Sequence, residues 1–337
     1  MTTAPPPEAS FAPGAIVGRY RIVRRIGRGG MGEVFEARHT TLGRTVALKT
    51  LYPHLAADPT LHARFHREGV AAAAIRHPHV ADVHDVATHG DVTYLVMEHL
   101  TGEDLHARIK RDKRVPWQEL VDLMVPVCDA VAHVHRAGVV HRDLKPANIF
   151  LARSPNGLVV PKVLDFGISK LSHDLLADDA SEQPATATAT LLGTPWFMAP
   201  EVVEGARNAS PASDQYALGV ILYHAATGTL PFRGSNLHDT LSRILSGRFP
   251  RPGELVPELP AAFEAVVLRA MALRPGDRFA QVGALTAALL ALASPGVRAR
   301  WQSQDITQYD LEEDAAPLSL DPLDDAAAAT PAPLSQP

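Results

Sequence analysis

Three side chains able to handle protons and charge lie close together in the run His141-Arg142-Asp143-Leu144-Lys145-Pro146-Ala147-Asn148. Pro146 has no backbone N–H and biases Lys145 away from the helical region, so this run is expected to be a loop. It presents an acid (Asp143), a base (Lys145) and an amide (Asn148) from one shaped turn rather than from a helix face. Two other stretches suit phosphate. In Gly27-Arg28-Gly29-Gly30-Met31-Gly32-Glu33-Val34 the glycines at the first, third and sixth positions let a strand–turn–strand bring backbone amides onto phosphate oxygens. A bland glycine-rich hairpin would read the same way. A dinucleotide-binding turn would need a helix next, whereas Val34-Phe35-Glu36-Ala37 continues as strand. Asp165-Phe166-Gly167 sets an acid on a glycine-ended turn, a fit for Mg²⁺, which prefers oxygen ligands.

These groups need elements to carry them. A strand over Arg19–Ile26 feeds the glycine stretch. Thr45–Thr50 alternates, placing Val46 and Leu48 on one face and Ala47 and Lys49 on the other. Ala47 is small enough to admit a planar ring, and Lys49 reaches phosphates from the same face; in isolation Lys49 would read as a surface lysine. Asp58-Pro59 is a helix start, and the helix runs to about Ile75 with the stripe Leu61, Phe65, Ala72, Ile75. Glu68 falls on that stripe, and an inward acid calls for a cation, for which Lys49 is the candidate; the alternative is a solvated Glu68 at the stripe's edge. Gly69 weakens the helix and suggests an adjustable position. Tyr94–Glu98 reads as a strand running into His99-Leu100-Thr101-Gly102. Trp117–Arg136 is a helix with a kink expected at Pro126 and Gly138 as its cap. Ile149–Ala152 and Leu158–Leu164 form a hairpin that ends at Asp165, seventeen residues after Asn148. A loop without periodicity follows, with an acidic stretch over Asp178–Gln183 and then Thr186, Thr188, Thr190 and Thr194.

Composition sets bounds. The 337 residues are 46% hydrophobic and 20% charged, as in an ordinary globular protein. A net charge of −5 gives no general reason to expect nucleic-acid binding. The single cysteine, Cys128, excludes an internal disulfide and suits a reducing cytosol. No apolar run of membrane-spanning length and no signal sequence is present, so a soluble, cytoplasmic protein is expected. The sixteen histidines form no HExxH or Cys/His cluster, so a metal-binding role for them is not expected. Residues 1–17 read as a flexible arm and 294–337, rich in Pro, Ala and Asp, as a largely disordered tail.

The order H-R-D-x-K-x-x-N, the glycine stretch, Lys49 and Asp165-Phe166-Gly167 together resemble the protein kinases, and specifically the eukaryotic-type Ser/Thr kinases of bacteria. The resemblance covers roughly residues 18–293. It implies an α+β, two-lobed kinase fold: a β-rich small lobe over about 18–98, a hinge near 98–102 and a mainly helical large lobe over about 103–293; the membrane anchor and sensor domain that many relatives carry after the kinase are not expected here, because the chain ends too soon for them. It implies ATP in the cleft with Mg²⁺, or Mn²⁺ in its place. Asp143 would orient the attacking hydroxyl, Lys145 would neutralise the moving phosphoryl, and Asn148 and Asp165 would hold metal. Lys49 would meet the phosphates and pair with Glu68. Gly27, Gly29 and Gly32 would cover the phosphates; Ile26, Val34 and Ala47 would roof the adenine and Phe150 floor it, where relatives usually carry Leu or Met. Met97 would close the back of the pocket, the Glu98 carbonyl and Leu100 N–H would read the adenine edge, and Asp104 would lie near the ribose. Thr188 and Thr190 would be phosphorylation sites, in a transient homodimer if the chain modifies itself, with Arg142 pairing the phosphate. Thr194 would steady the catalytic aspartate, Glu201 would pair with Arg278, and Asp214 would hold the catalytic loop's backbone. The implied partners are protein substrates bearing Ser or Thr. Two rivals are a scaffold without chemistry, against which Lys49, Asp143 and Asp165 all stand, and a small-molecule kinase, against which Glu201, Asp214 and Arg278 speak.

Overall fold

The computed structural model describes residues 11–29, 32–56, 58–90, 92–166 and 195–304. Chain contacts separate residues 1–299 from 300–337, and of the latter only the end of a helix is described.

The small lobe is a six-stranded antiparallel sheet of β1 (Ile16–Val17), β2 (Tyr20–Arg28), β3 (Gly32–His39), β4 (Thr45–Leu51), β5 (Val83–His89) and β6 (Val92–Glu98), in the order β1-β2-β3-β4-β6-β5. The period-two expectation for β4 holds. Val46 and Leu48 join Ile22, Phe35, Tyr94 and Val96 in a core on one face. On the other face Leu51 and Leu95 pack with Leu61, Phe65 and Ala72 of a helix. A short helix α1 (Pro53–Ala56) precedes that helix, α2 (Pro59–Ala74). Asp58 caps α2 by accepting the Thr60 and Leu61 N–H groups at 2.8 and 3.3 Å, with Pro59 in the first turn, as the sequence signal requires.

Part of the expected flexible arm is ordered on this sheet. Ile16–Val17 pairs with β2, Gly14 N–H donates to the Ile22 carbonyl, and Phe11 packs edge-on against Phe35 with ring centroids 5.7 Å apart. Val17, buried at 1% exposure, supplies the apolar area that an arm rich only in Pro and Ala would lack. Residues 1–10 lie outside the described residues.

Gly102–Asp104 (β7), Ile149–Arg153 (β8) and Val159–Val163 (β9) form a second, three-stranded sheet under the cleft. β8 and β9 are the expected hairpin, in antiparallel register from Ile149↔Val163 to Arg153↔Val159. The large lobe is helical: α3 (Leu105–Asp112), α4 (Trp117–Arg136), α5 (Pro200–Glu204), α6 (Pro211–Thr227), α7 (Leu237–Ser246), α8 (Pro252–Leu255), α9 (Ala261–Ala270) and α10 (Val282–Leu290). α4 runs unbroken through Pro126 and is capped by Ala137, with Gly138 at φ 76 directly after. α6 is buried nearly all round, which explains its unbroken apolar run. A last helix, α11 (Pro295–Gln304), occupies residues expected to be disordered tail. Pro295 in its first turn has a preset φ and no N–H to strand, and the Arg298 N–H closes onto the Ser294 carbonyl at 3.0 Å. No helix among the described residues is long and apolar enough to cross a membrane.

Candidate active site

The loop after α4 is fixed by one buried carboxylate. Asp214, 2% exposed in α6, accepts the His141 N–H on Oδ2 at 2.7 Å and the Arg142 N–H on Oδ1 at 2.9 Å. Its Oδ2 also lies 2.8 Å from His135 Nε2. Arg142 takes φ 67, the left-handed region that a non-glycine residue avoids unless its surroundings impose it. Lys145 is extended and Pro146–Asn148 forms a 3₁₀ turn, so the loop ends as the proline predicts.

The three polar groups converge. Lys145 Nζ donates to Asp143 Oδ2 at 2.7 Å, and Asn148 Nδ2 donates to the Asp143 carbonyl at 2.8 Å and to Oδ2 at 3.3 Å. With Nδ2 committed to Asp143, the Asn148 side-chain oxygen Oδ1 is the end left for a cation. One backbone bond and one side-chain contact join this loop to the end of β9: Leu164 N–H donates to the Asn148 carbonyl at 2.9 Å, and His141 Nε2 lies 2.9 Å from the Leu164 carbonyl. Phe166 packs edge-on against His141, with ring centroids 4.8 Å apart.

Asp165 follows at φ 61, a second left-handed residue in the site. Its Oδ1 lies 2.7 Å from Lys49 Nζ. Burial pushes the Asp165 carboxyl upward, but Lys49, His141 and Lys145 outweigh it and hold the group below the ordinary carboxylate range. The side chain is therefore an anion facing the cleft, an oxygen donor of the kind a hard divalent cation takes. Here the expected Lys49–Glu68 pair is corrected: the acid against Lys49 is Asp165. The turn after β9, with Asp165 at φ 61, delivers that carboxylate to Lys49. Glu68 is buried at 6% exposure on the sheet-facing side of α2, so the solvated alternative fails.

The nucleotide-side residues share the face of the sheet that carries Lys49. Val34 is opposite Lys49 across β3 and β4, and Ala47 is opposite Met97 across β4 and β6. Gly27 is paired with Val34, and the Gly29 N–H donates to the Gly32 carbonyl at 2.8 Å. A Cβ on Gly32 would fall 1.7 Å from the Thr50 carbonyl oxygen, so only glycine fits there. Ile26 sits in a register shift of β2 and is 39% exposed, at the edge of the roof. Phe150 is half-buried in β8, opposite both Asp104 and Lys162. Asp104 is the N-cap of α3, accepting the Ala107 N–H at 2.7 Å, so the acid expected beside the ribose is fixed by a helix start. Glu98 accepts the Asp82 N–H at 2.9 Å and pairs with Lys162 at 2.6 Å, which anchors the strand end leading to Leu100.

The protein kinase domain family matches residues 20–280 of the chain. The chain belongs to the protein kinase family. It is 40% identical over 285 residues to the serine/threonine-protein kinase Pkn1 of Myxococcus xanthus, covering 85% of this chain and 40% of Pkn1. It is 40% identical over 271 residues to the serine/threonine-protein kinase PknA of Mycobacterium tuberculosis, covering 78% of this chain and 60% of PknA. The match thus spans about half the length of these curated relatives. The crystal structure of the M. tuberculosis PknI kinase domain superposes with a TM-score of 0.63 at 28% identity, over 84% of this chain and all of that one.

In this family member the large-lobe frame is the one the resemblance implies. Arg278, whose side chain is fully buried, forks onto Glu201 with both contacts at 2.8 Å and donates to the carbonyls of Ala212, Ala272 and Leu273. Ser213 donates to Glu201 Oε1 at 2.8 Å. Burial raises the Glu201 carboxyl, but the Arg278 and Ser213 bonds outweigh it and hold it low. Gly30, Met31, Gly167, Thr186, Thr188, Thr190 and Thr194 lie outside the described residues. His135, Ser213 and Lys162 escaped the sequence reading. Their partners lie 79, 12 and 64 residues away, and no local pattern marks such pairs. Among the described residues no group of three or more His, Cys, Asp or Glu is set to hold a metal ion.

Proposed function

We propose that the chain transfers the γ-phosphoryl of ATP to Ser or Thr hydroxyls of protein substrates. The observation that carries this reading is the bonded set Asp143–Lys145–Asn148, joined through Leu164 to Asp165 and Lys49. Asp143 orients the attacking hydroxyl and accepts its proton. Lys145, already beside Asp143, neutralises charge on the moving phosphoryl, and Lys49 draws in the other phosphates. Asn148 and Asp165 fit a divalent cation by their oxygen donors, and either Mg²⁺ or Mn²⁺ satisfies that set. Bound there, the cation would neutralise phosphate charge. Catalysis then comes chiefly from positioning and electrostatics. Met97, the Glu98 carbonyl and the Leu100 N–H bind adenine. Glu201–Arg278 and Asp214 support the polypeptide reading over a small-molecule one, because they brace the lobe on which a protein substrate would lie. Phosphate on Thr188 or Thr190, met by Arg142, would regulate the site, with a transient homodimer as the route to self-modification. A cytoplasmic setting agrees with the single cysteine.

Incubation of the chain with Mg²⁺–ATP beside Asp143→Asn, followed by mass mapping of phosphate, tests the reading. Phosphothreonine between residues 186 and 194 in the unaltered chain alone supports it. ATP binding without transfer to the chain or to any peptide would favour the scaffold. Lys49→Ala and Asp165→Asn should each abolish transfer with the fold intact, and wild-type rates in either would overturn the site.

A further inference from the structure

Among the described residues, the apolar core on the outer face of the small-lobe sheet draws only on strands and on the segment Phe11–Val17. That segment doubles back at Ala12–Ala15. The Ala15 N–H donates to the Ala12 carbonyl at 3.1 Å, and Gly14 takes φ 90 behind Pro13, the backbone a type II turn demands. The turn brings Phe11 edge-on to Phe35, and the Gly14 N–H and Ala15 carbonyl each bond Ile22 at 2.8 Å. Phe35, fully buried, is what ties down the hairpin of the glycine stretch. β2 has no buried side chain beyond Ile22 and shifts register twice between Ile22 and Gly27, so its second half hangs on its ladder with β3. In β3, Phe35 is the outer-face apolar side chain nearest the glycines, and the ion-paired Arg25 and Glu33 come next. Side chains alternate along a strand, so Phe35 and its neighbour Leu48 point outward while Val34 and Lys49 point to the nucleotide face. Phe11 thus rests on the back of the two strands that carry Val34 and Lys49.

We infer that Phe11 is a positioning residue: by covering Phe35 it holds the glycine-bearing hairpin over the phosphates and so sets the affinity for ATP. It lies ahead of residues 20–280, the span matched by the kinase family. Without its ring the outer core opens beside Phe35, and the front of the hairpin is left to ladder bonds and the Arg25–Glu33 pair. Phe11 packs on the outer core, on the far side of the sheet from Lys49, so the loss falls on nucleotide binding and not on the transfer step. This rests on the kinase reading of the site, and direct ATP binding separates the two. A chain that binds no ATP defeats that reading and this inference with it. One that binds ATP equally well with and without the ring defeats only this inference.

The test is the Kd for ATP, with kcat and the KM for a Ser/Thr peptide, in the full chain and in Phe11→Ala, Gly14→Ala and Val92→Ala. An edge-on aromatic pair is worth up to about a tenfold factor in an equilibrium, so Phe11→Ala should weaken ATP binding about three- to tenfold. At saturating ATP, kcat and the KM for peptide should stay within about twofold of wild type, the pattern of lost uniform binding. Gly14→Ala keeps the ring but strains the turn, since φ 90 disfavours alanine although nothing lies within 4 Å of the added Cβ. It should weaken ATP binding in the same direction. Val92→Ala trims the same core from β6, a strand outside the hairpin, and should lower the melting temperature while leaving ATP affinity unchanged. A Phe11→Ala protein that melts lower yet binds ATP within about twofold of wild type would overturn the inference. An equal loss of ATP affinity in Val92→Ala would overturn it too, because general softening of the lobe would then suffice. Should Phe11→Ala not fold, Gly14→Ala decides alone, and wild-type ATP affinity in that variant overturns the inference.

Discussion

Replacing Asp214 with asparagine tests whether a single buried carboxylate holds the catalytic loop in its strained backbone. Oδ2 serves His141 N–H and His135, and Oδ1 serves Arg142 N–H, all at 2.7–2.9 Å. Asparagine keeps one oxygen and turns the other into a donor. Whichever way the amide is set, at least one buried N–H then faces an NH₂ group. The less damaging setting keeps the oxygen on His141 and His135 and strands Arg142 N–H. Hydrogen bonds to ionised groups contribute about 1.5–3 kcal/mol, and a buried donor left unmet adds to the loss, so about 2–4 kcal/mol of stability should disappear. At this chain length roughly 2 °C of melting temperature corresponds to each kcal/mol, which gives a fall of about 4–8 °C. The effect on chemistry should be larger in proportion. Arg142 is held at φ 67, a conformation that costs about 1–3 kcal/mol for a non-glycine residue and survives only while its N–H is gripped. Once released, the backbone relaxes and Asp143 moves with it, and a shift near 1 Å lowers kcat on the order of 10²-fold. The assay is the initial rate of transfer to a Ser/Thr peptide over a range of ATP, with thermal unfolding of the same preparation. The KM for ATP should hold, since Asp214 touches neither hinge nor glycine stretch. A melting temperature lowered as stated but a kcat within about twofold of wild type would refute the reasoning, because the strained loop would then not need its anchor.

Other consequences follow from the same frame. Arg278→Ala strands the Glu201 carboxylate in the large lobe and should remove about 3–5 kcal/mol, whereas Arg278→Met with Glu201→Gln should lose less, because neither partner is left as an unpaired charge; calorimetry of the three proteins checks the order. Because the Glu201 carboxyl is held below its ordinary value of 4.5, its stabilising effect is complete above that pH and is lost as pH falls through the folded-state value. Glu201→Gln should therefore flatten the acid limb of the melting-temperature profile, and an unchanged limb would place acid sensitivity elsewhere. Tyr216 Oη is buried without a hydrogen-bond partner among the described residues, so Tyr216→Phe should leave the melting temperature unchanged or raised; a fall worth more than about 2 kcal/mol would reveal a bond made by that hydroxyl.

What could be read in the sequence divides by the range of the interaction. Asp58 with Pro59, the alternation of Thr45–Thr50 and the turn ahead of Leu158 are local, and each element appears where its residues call for it. Asp214 and the Glu201–Arg278 fork could be named only through resemblance, because the groups they serve lie 72–77 residues away and no periodicity links them. Composition misled at both ends. Low apolar content around Phe11 and Pro295 suggested unstructured chain, yet a single phenylalanine packed on Phe35 and a proline in a first helical turn are enough for local order. For Lys49 the stripe of α2 offers one acid, Glu68, and the fold brings another, Asp165, against it. Which acid holds the ammonium depends on backbone angles at Asp165 that no residue pattern encodes.

Gly69 shows why that limit is physical. Propensity assigns a residue the energy it has in an isolated helix, where glycine only loosens. In a packed lobe the same residue is judged by the volume facing it, and here that volume is filled by Leu95 and Val86. The sign of its contribution is therefore set by two strands that lie 17 or more residues further along the chain. The same holds for Asp104, whose carboxylate is fixed by the helix it begins, and for Asp165, whose charge state follows from Lys49, His141 and Lys145 converging from three separate segments. Residue type decides which chemistry is available to this site. The turn after β9 decides which acid is brought to Lys49, and so where the charges of the site stand before any substrate arrives.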